Sequence, residues 1–264
     1  TPLSCFSFVE LLYEAGLPRD WCQIVVPQDL DVATQLVTDE RNAFFSFIGS
    51  SRVGWMLRSK LAPGTRCALE HGGAAPVILA SDADLDDALP RLAKGAFYHA
   101  GQVCVSVQRI FAHSSIANEA ATGIANLASK MKVGDPTSED TEIGPLIRTS
   151  EVDRVDEWVQ AAIEGGAVCL SGGERASDSC YKPTVLLNPA PDANVSTMEI
   201  FGPVVCVYSY DDIDEAIEQA NSLPVSFQAA VMTKDIDTAM RVYNRIDATA
   251  VMVNEHTAFR VDWM

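Results

Sequence analysis

One cysteine lies in a glycine-led loop, where its side chain could act as a nucleophile. Cys104 closes the segment Gly101-Gln-Val-Cys, after a helical pattern at 84–98 and before a strand pattern at 105–112. A thiolate attacks a carbonyl carbon readily, and the thioester that results can be cleaved by water. The position alone is weak evidence, because most cysteines outside disulfides are small buried apolar residues.

Two further segments combine a carboxylate with glycine. Glu70-His-Gly-Gly73 closes a strand pattern, and Glu199-Ile-Phe-Gly-Pro203 leads into another strand pattern at 203–210. A carboxylate in a partly desolvated site can act as the general base that activates water. A site with a nucleophilic thiol and such a base could form an acyl intermediate on the thiol and then hydrolyse it.

Taken in order, Glu70-x-Gly-Gly, Gly101-Gln-x-Cys104 and Glu199-Ile-Phe-Gly-Pro resemble the motifs of the NAD(P)-dependent aldehyde dehydrogenase superfamily. The resemblance covers nearly the whole chain. It implies an oxidoreductase that converts an aldehyde to a carboxylic acid with NAD or NADP. In that reaction Cys104 would form a thiohemiacetal and then a thioester, its backbone N–H would be one oxyanion donor, and Glu70 would activate the hydrolytic water.

The same resemblance implies a set of cofactor contacts. Gly49, Ser50 and Val53 lie between a strand pattern and a helix pattern, where a helix N-terminus can receive a pyrophosphate. The spacing Gly-x-x-x-x-Gly is followed by Trp55-Met56 instead of Lys-Ser/Thr, so this segment is not a Walker A loop. A plain strand-to-helix turn is the alternative interpretation.

Three more cofactor contacts follow from the resemblance. Glu199 would accept hydrogen bonds from the nicotinamide-ribose hydroxyls, Phe201 would pack beside that ribose or the ring, and the backbone N–H of His71 would face the nicotinamide amide. The family often has leucine where this chain has His71. His256 and Arg260 receive no role, although Arg260 could meet an anionic substrate. Without the resemblance, Phe201 is a core residue and Glu70 an exposed strand-end carboxylate.

The composition limits the kinds of partner that the protein can bind and the compartment in which it is expected. The chain has 264 residues, is 48% hydrophobic and 21% charged, and carries a formal net charge of −17, which argues against nucleic acid and anionic membranes as partners. Its seven cysteines include no Cys-x-x-Cys pair and its four histidines no His-x-x-x-His spacing, so neither a disulfide framework nor a metal site is predicted. No signal peptide or long apolar run is present. The cytoplasm is therefore the expected location.

Hydrophobic periodicity predicts alternating helices and strands, which is typical of an α/β protein with a parallel sheet. The predicted strands and helices, in chain order within each type, are strands at 22–26, 43–47, 66–70, 76–80, 105–112, 184–187, 203–210, 228–232 and 249–254, and helices at 3–15, 28–37, 51–60, 84–98, 116–131, 150–164, 212–222 and 235–246. The glycine pair at 72–73 permits a domain boundary. By resemblance, residues 1–72 would be the C-terminal part of an NAD(P)-binding domain with a partial Rossmann-type parallel sheet, and residues 73–264 an α/β catalytic domain.

The comparison with the family also predicts that the chain is incomplete. It is expected to start inside the cofactor domain and to stop before the C-terminal oligomerisation strand, which would leave out an oxyanion-hole asparagine and a cofactor-binding lysine. The isolated chain would then have little activity, and the full-length protein would be a homo-oligomer acting on a small-molecule aldehyde. A CoA-acylating member of the superfamily and a non-enzymatic relative remain alternatives. Glu70 argues against the first, because CoA-acylating enzymes need no base for water.

Overall fold

The computed structural model describes residues 2–224 and 227–257. The chain divides into two compact units, residues 1–70 and residues 71–264. In the described residues, no helix is both long enough and apolar enough to cross a bilayer. Helices and strands alternate along both units, so the predicted α/β class is confirmed.

The described part of the first unit contains three α-helices and two strands, and the last residue of its second strand, His71, already belongs to the second unit. Their bounds are α1 (Pro2–Glu14), α2 (Leu30–Thr38), β1 (Phe44–Gly49), α3 (Ser51–Arg58) and β2 (Arg66–His71), with a short 3-10 helix at Arg19–Trp21. β1 and β2 form a two-stranded sheet. These elements confirm the predicted helices and the last two predicted strands of this region.

The strand predicted at 22–26 is wrong. Residues 22–27 have no regular structure, and the side chains of Val25 and Val26 are exposed. The apolar run suggested a strand, but a strand also needs a partner for its main-chain groups. Here the Cys22 carbonyl accepts a hydrogen bond from the Tyr13 hydroxyl instead of from a neighbouring strand.

The second unit is built on a seven-stranded sheet in the order β5-β6-β7-β4-β3-β8-β9. Adjacent strands are parallel except for β5 and β6, which are antiparallel. The bounds are β3 (Ala75–Leu79), β4 (Val107–His113), β5 (Val168–Ser171), β6 (Thr184–Leu187), β7 (Val204–Tyr210), β8 (Gln228–Met232) and β9 (Ala250–Val253). The parallel sheet agrees with the prediction from the alternating elements.

Six α-helices in the described part of the second unit accompany this sheet. They are α4 (Leu85–Phe97), α5 (Ala117–Ala128), α6 (Thr149–Glu164), α7 (Asn194–Thr197), α8 (Ile213–Ala220) and α9 (Ile236–Arg245). The sequence did not predict β5 or α7. Each has four residues, which is too short for hydrophobic periodicity to be read, and the half-exposed Val168 of β5 resembles a loop residue.

The core lies around the central strands, which are covered on both faces. All five residues of β3 are buried, as are six of the seven residues of β4. Parallel strands covered on both sides usually consist of apolar residues throughout. β4 departs from this rule, because Gln108 and Arg109 are 5% and 3% exposed. The alternation at 105–112 predicted a strand, which is confirmed, and its polar residues at 108 and 109 are buried with the apolar ones.

Arg109 is a buried cation that joins three parts of the second unit. Its guanidinium donates to the carbonyl oxygens of Ala74 (3.2 Å), Gln219 (3.1 Å) and Ala220 (2.9 Å). Two of these carbonyls close α8, whose final carbonyls have no partner within the helix. Burial lowers the pKa of Arg109 to about 10, so the side chain stays charged at neutral pH.

We expect the substitution Arg109→Met to lower the free energy of unfolding by about 3 kcal/mol, because it takes the guanidinium donor away from the buried carbonyl oxygens of Ala74 and Ala220. Urea denaturation followed by circular dichroism measures the change. The matched control is Arg148→Met, which removes a side chain that is 71% exposed and pairs with Glu151 at the surface; its cost should stay below about 1 kcal/mol. Equal losses of unfolding free energy in the two variants would show that the hydrogen bonds of Arg109 do not stabilise the fold.

Candidate active site

The parts of the three sequence motifs that belong to the second unit lie at one edge of its central sheet. Gly73 comes shortly before β3, Cys104 shortly before β4 and Phe201 shortly before β7. These strands are neighbours in the order β7-β4-β3 and run parallel, so their amino ends meet at the same edge. Segments that are 31 and 97 residues apart in sequence are therefore brought together by the topology.

The second and third motifs touch through their main chains. A Cβ atom added at Gly101 would lie 2.0 Å from the carbonyl oxygen of Gly202. One added at Gly202 would lie 2.8 Å from a methyl group of Val155 on α6. Glycine is required at Gly101, because a side chain there would separate the cysteine loop from the segment that carries Glu199, whereas a side chain at Gly202 would press against α6.

The loop that carries Cys104 is bent by three consecutive residues in the left-handed region. The φ angles of His99, Ala100 and Gly101 are 51°, 56° and 69°. Two of these residues carry side chains, for which this conformation is strained by about 1–2 kcal/mol each. Strain of this kind persists where surrounding contacts hold the chain in place, as they often do at functional sites.

The Gln102 side chain supplies such contacts. Its amide nitrogen donates to the Pro145 carbonyl at 3.2 Å, and its amide oxygen accepts from the Ile147 N–H at 2.9 Å. On the other side of the cysteine, the Ser106 hydroxyl donates to the Ala96 carbonyl at 3.2 Å. Cys104 is half-buried in the turn between Gln102 and Ser106, which these hydrogen bonds hold.

Tyr98 lies close enough to the cysteine to be affected by its charge. Burial raises its pKa to about 12, and the negative charge of an ionised Cys104 contributes to this rise. Within the described residues, the Tyr98 hydroxyl is buried and has no hydrogen-bond partner. Its ring lies 6.5 Å from that of His256, whose pKa is lowered by burial. The sequence gave no reason to single out Tyr98, since it ends an ordinary helical pattern.

Glu199 is a carboxylate in an enclosed position. A Cβ atom added at Gly72 would lie 1.8 Å from its Oε1, so this oxygen rests against the main chain of the first motif. Among the described residues, Oε1 is buried and has no hydrogen-bond partner. Burial raises the pKa of Glu199 from 4.5 to about 7, although the positive charge of Arg154 lowers it.

Arg154, on α6, is the second charged group at this edge. Its Nε lies 2.9 Å from a Glu151 oxygen, its Nη2 donates to the Ile200 carbonyl at 2.7 Å, and its guanidinium stacks 4.5 Å above the Trp158 ring. In the described chain its Nη1 is buried without a partner. A buried donor and a buried acceptor that are both unsatisfied favour a ligand with hydroxyl groups, which can serve both.

Phe201 has a φ angle of +49°, which is unusual for a bulky residue. Its side chain is 42% exposed. The alternative interpretation of Phe201 as a core residue is therefore wrong. A strained backbone that presents an exposed aromatic ring is consistent with a surface on which a ligand packs.

Other predicted residues lie in the first unit. Gly49 ends β1, Ser50 precedes α3 without making a side-chain cap, and Val53 is in the first turn of α3. Glu70 is exposed near the end of β2. The predicted strand-to-helix turn is confirmed, whereas the cofactor and catalytic roles of these residues stay predictions.

The remaining predicted residues have separate outcomes. His71 is half-buried at the start of the second unit, with its Nδ1 3.4 Å from the Gly72 carbonyl oxygen. Arg260 lies outside the described residues. Residues 2–224 and 227–257 contain no cluster of three or more histidine, cysteine or acidic side chains suited to a metal ion.

The structure adds three site residues that sequence reasoning missed: Tyr98, Gln108 and Arg154. A signal existed for Gln108, since a polar residue in the middle of a strand covered on both faces needs internal partners. No comparable signal existed for Arg154, which occupies an ordinary polar position of an amphipathic helix.

Comparison with known proteins agrees with this arrangement. The sequence model of the Aldehyde dehydrogenase family matches residues 1–264. The 3-sulfolactaldehyde dehydrogenase of Priestia aryabhattai is 38% identical over 264 residues, which are 100% of this chain and 55% of that protein. The chain thus spans about half the length of the curated relatives it matches.

Solved structures agree as well. Betaine aldehyde dehydrogenase from Staphylococcus aureus, in complex with NAD+, is 30% identical with a TM-score of 0.92 over 98% of this chain and 53% of that one. Glyceraldehyde-3-phosphate dehydrogenase from Methanocaldococcus jannaschii, complexed with NADP, is 35% identical with a TM-score of 0.83 over 87% of this chain and 49% of that one. By its motifs, its sheet and these similarities, the chain belongs to the aldehyde dehydrogenase family.

Proposed function

We propose that the protein containing this chain oxidises an aldehyde to a carboxylic acid with NAD or NADP. The observation that carries this proposal is the meeting of the Gly72, Cys104 and Glu199 segments at the amino edge of β3, β4 and β7. There a nucleophilic sulfur lies in a constrained loop beside a place suited to a hydroxyl-bearing ligand.

Cys104 would attack the aldehyde carbon, and the carbonyl oxygen would become an alkoxide held in part by the Cys104 backbone N–H. Collapse of this thiohemiacetal would expel a hydride, for which a bound NAD(P)+ would supply the acceptor. The product on the enzyme is a thioester at Cys104. Glu70 would then take a proton from water, whose oxygen attacks the thioester and releases the carboxylic acid and the thiol.

The residues present fit the cofactor that this chemistry needs. Glu199 and Arg154 offer an unsatisfied acceptor and donor for the hydroxyls of a ribose, and Gly72 leaves room that a side chain would fill. Phe201 would pack beside that ribose or the ring, and the His71 N–H would face the nicotinamide amide. In the first unit, Gly49, Ser50 and Val53 would contact the pyrophosphate region at the start of α3.

The further properties of the whole protein are proposals of the same kind. Residues 1–72 would contribute to the cofactor-binding domain and residues 73–264 to the catalytic domain. The protein would act as a homo-oligomer on a small-molecule aldehyde, with neither nucleic acid nor membrane as a partner. A cytoplasmic location is supported by seven cysteines that, in the described chain, form no disulfide.

The first test is turnover by the whole gene product. NAD(P)H formation with a panel of aldehydes, with and without CoA, should be independent of CoA and fall at least about 1000-fold in Cys104→Ser. Glu70→Gln should keep a burst of about one NAD(P)H per site while steady turnover falls about 100-fold, because acylation survives and hydrolysis does not. NAD(P)H formation that depends on CoA would favour the acylating alternative. No NAD(P)H formation with any of the aldehydes would favour the non-enzymatic relative.

Thiol reactivity tests the nucleophile without a substrate. Iodoacetamide should modify Cys104 at least about 10-fold faster than the exposed Cys5, because a nucleophile must be available as thiolate. Cys206 should react slowest, since it is fully buried and burial raises its pKa to about 12. Peptide mass spectrometry gives the rate for each site. If Cys5 reacts as fast as Cys104, the cysteine is not activated.

Glu199 should make the stability of the chain depend on pH. Its pKa is about 7 in the folded protein and near 4.5 when exposed, so folding favours the protonated form. The loss of stability caused by ionising Glu199 in the folded protein is therefore absent below pH 4.5, grows as the pH rises, and is complete above pH 7. Glu199→Gln should thus raise the free energy of unfolding by about 2 kcal/mol more at pH 8 than at pH 4.5. Urea titrations at the two pH values measure it; an equal effect at both would contradict the raised pKa.

A further inference from the structure

Gln108 is a buried polar side chain that the chemistry above does not use. It is the second residue of β4 and is 5% exposed. Its amide nitrogen donates to the carbonyl oxygens of Val195 (3.2 Å) and Met198 (2.7 Å), and its amide oxygen accepts from the Ile200 N–H (2.8 Å). All three bonds reach across about ninety residues of sequence to the segment that contains Glu199.

Two of these bonds fix the peptide groups on either side of Glu199. The Met198 carbonyl belongs to the peptide group that enters Glu199, and the Ile200 N–H belongs to the one that leaves it. Each peptide group is planar, so holding both sets the two backbone dihedral angles of the residue between them. One side chain therefore determines the direction in which the Glu199 side chain leaves the backbone.

This direction matters because hydrogen bonds within the described residues do not fix both oxygens of the carboxylate. Among the described residues its Oε1 has no hydrogen-bond partner, yet it rests where a Cβ at Gly72 would lie only 1.8 Å away. Because this oxygen is so closely enclosed, its position must be set by the backbone of Glu199. Gln108 and Glu199 also line the same small cleft, together with Gly73, Gly101 and Phe201.

The short helix α7, which precedes Glu199, has a separate anchor. The Tyr208 hydroxyl donates to the Ser196 hydroxyl oxygen at 2.8 Å, and Ser196 donates to the Ala190 carbonyl at 2.7 Å. These bonds hold the helix but not the peptide groups around Glu199. Gln108 and Tyr208 thus form a matched pair, in which only the first acts on Glu199 directly.

We propose that Gln108 is a positioning residue that holds the Glu199 carboxylate in its enclosed place at the amino edge of the sheet. Its effect on cofactor binding rests on the proposed function, whereas its effect on the carboxylate does not. When Gln108 is lost, the peptide groups around Glu199 turn and the carboxylate gains access to water. Glu199 then ionises more easily, because water stabilises its charged form.

The test combines a titration with enzyme kinetics. Gln108→Met keeps the length of the side chain and removes all three hydrogen bonds. In protein labelled with ¹³C at the glutamate carboxyl carbon, the Glu199 signal is assigned by its absence in Glu199→Gln. Its titration midpoint should fall by about one pH unit in Gln108→Met. In the whole gene product, the KM for NAD(P)+ should rise about 10-fold while kcat changes less.

Two further variants make the result decisive. Tyr208→Phe should lower the stability of the chain but leave the Glu199 midpoint and the KM unchanged. Gln108→Asn keeps the amide but is one methylene too short to reach both peptide groups, so it should reproduce the fall in the midpoint if Gln108→Met does not fold.

An unchanged midpoint in a folded Gln108 variant would overturn the proposal, and so would an equal shift in Tyr208→Phe, which would mean general loosening. A shifted midpoint in a protein that binds no NAD(P)+ would support the positioning role and reject the proposed function. The two failures are therefore distinguishable.

Discussion

The main chains of Gly101 and Gly202 approach too closely for any side chain to lie between them, and the rest of the site depends on this approach. It brings the cysteine loop against the segment that carries Glu199. Gly72 makes a similar approach to the Glu199 carboxylate from the first motif. Gly72, Gly101 and Gly202 are thus explained by contact distances, in addition to the conformational freedom that Gly101 uses.

Ligands of open parallel sheets usually bind beyond the carboxyl ends of the strands. In this chain the motifs gather at the amino ends of β3, β4 and β7 instead. The carboxylates at the other edge have structural roles: Asp212 and Asp235 cap α8 and α9, and Asp82 accepts from Thr233 and the Lys234 N–H. Part of the large negative charge is therefore used to begin helices and close turns.

The sequence was sufficient for the class of fold and for most elements, because long amphipathic helices such as α4 and buried apolar strands such as β3 have clear periodic patterns. It failed at 22–26, where an apolar run lacks a partner strand, and at the four-residue elements β5 and α7. For the site, the motifs were enough to propose Cys104 and Glu199 as candidates, and their roles stay predictions. Tyr98 and Arg154 could not be identified, since their importance comes from burial and from neighbours distant in sequence.

Gln108 and Arg109 are adjacent in β4, and successive residues of a strand project to opposite faces of the sheet. Gln108 holds the segment around Glu199, while Arg109 holds Ala74, which follows the glycine pair, and the end of α8. If β4 slipped by one residue against its neighbours, the amide and the guanidinium would exchange faces, and both sets of carbonyl groups would lose their donors. The two polar residues therefore specify the register of the central strand, a task that the interchangeable aliphatic residues around them perform poorly.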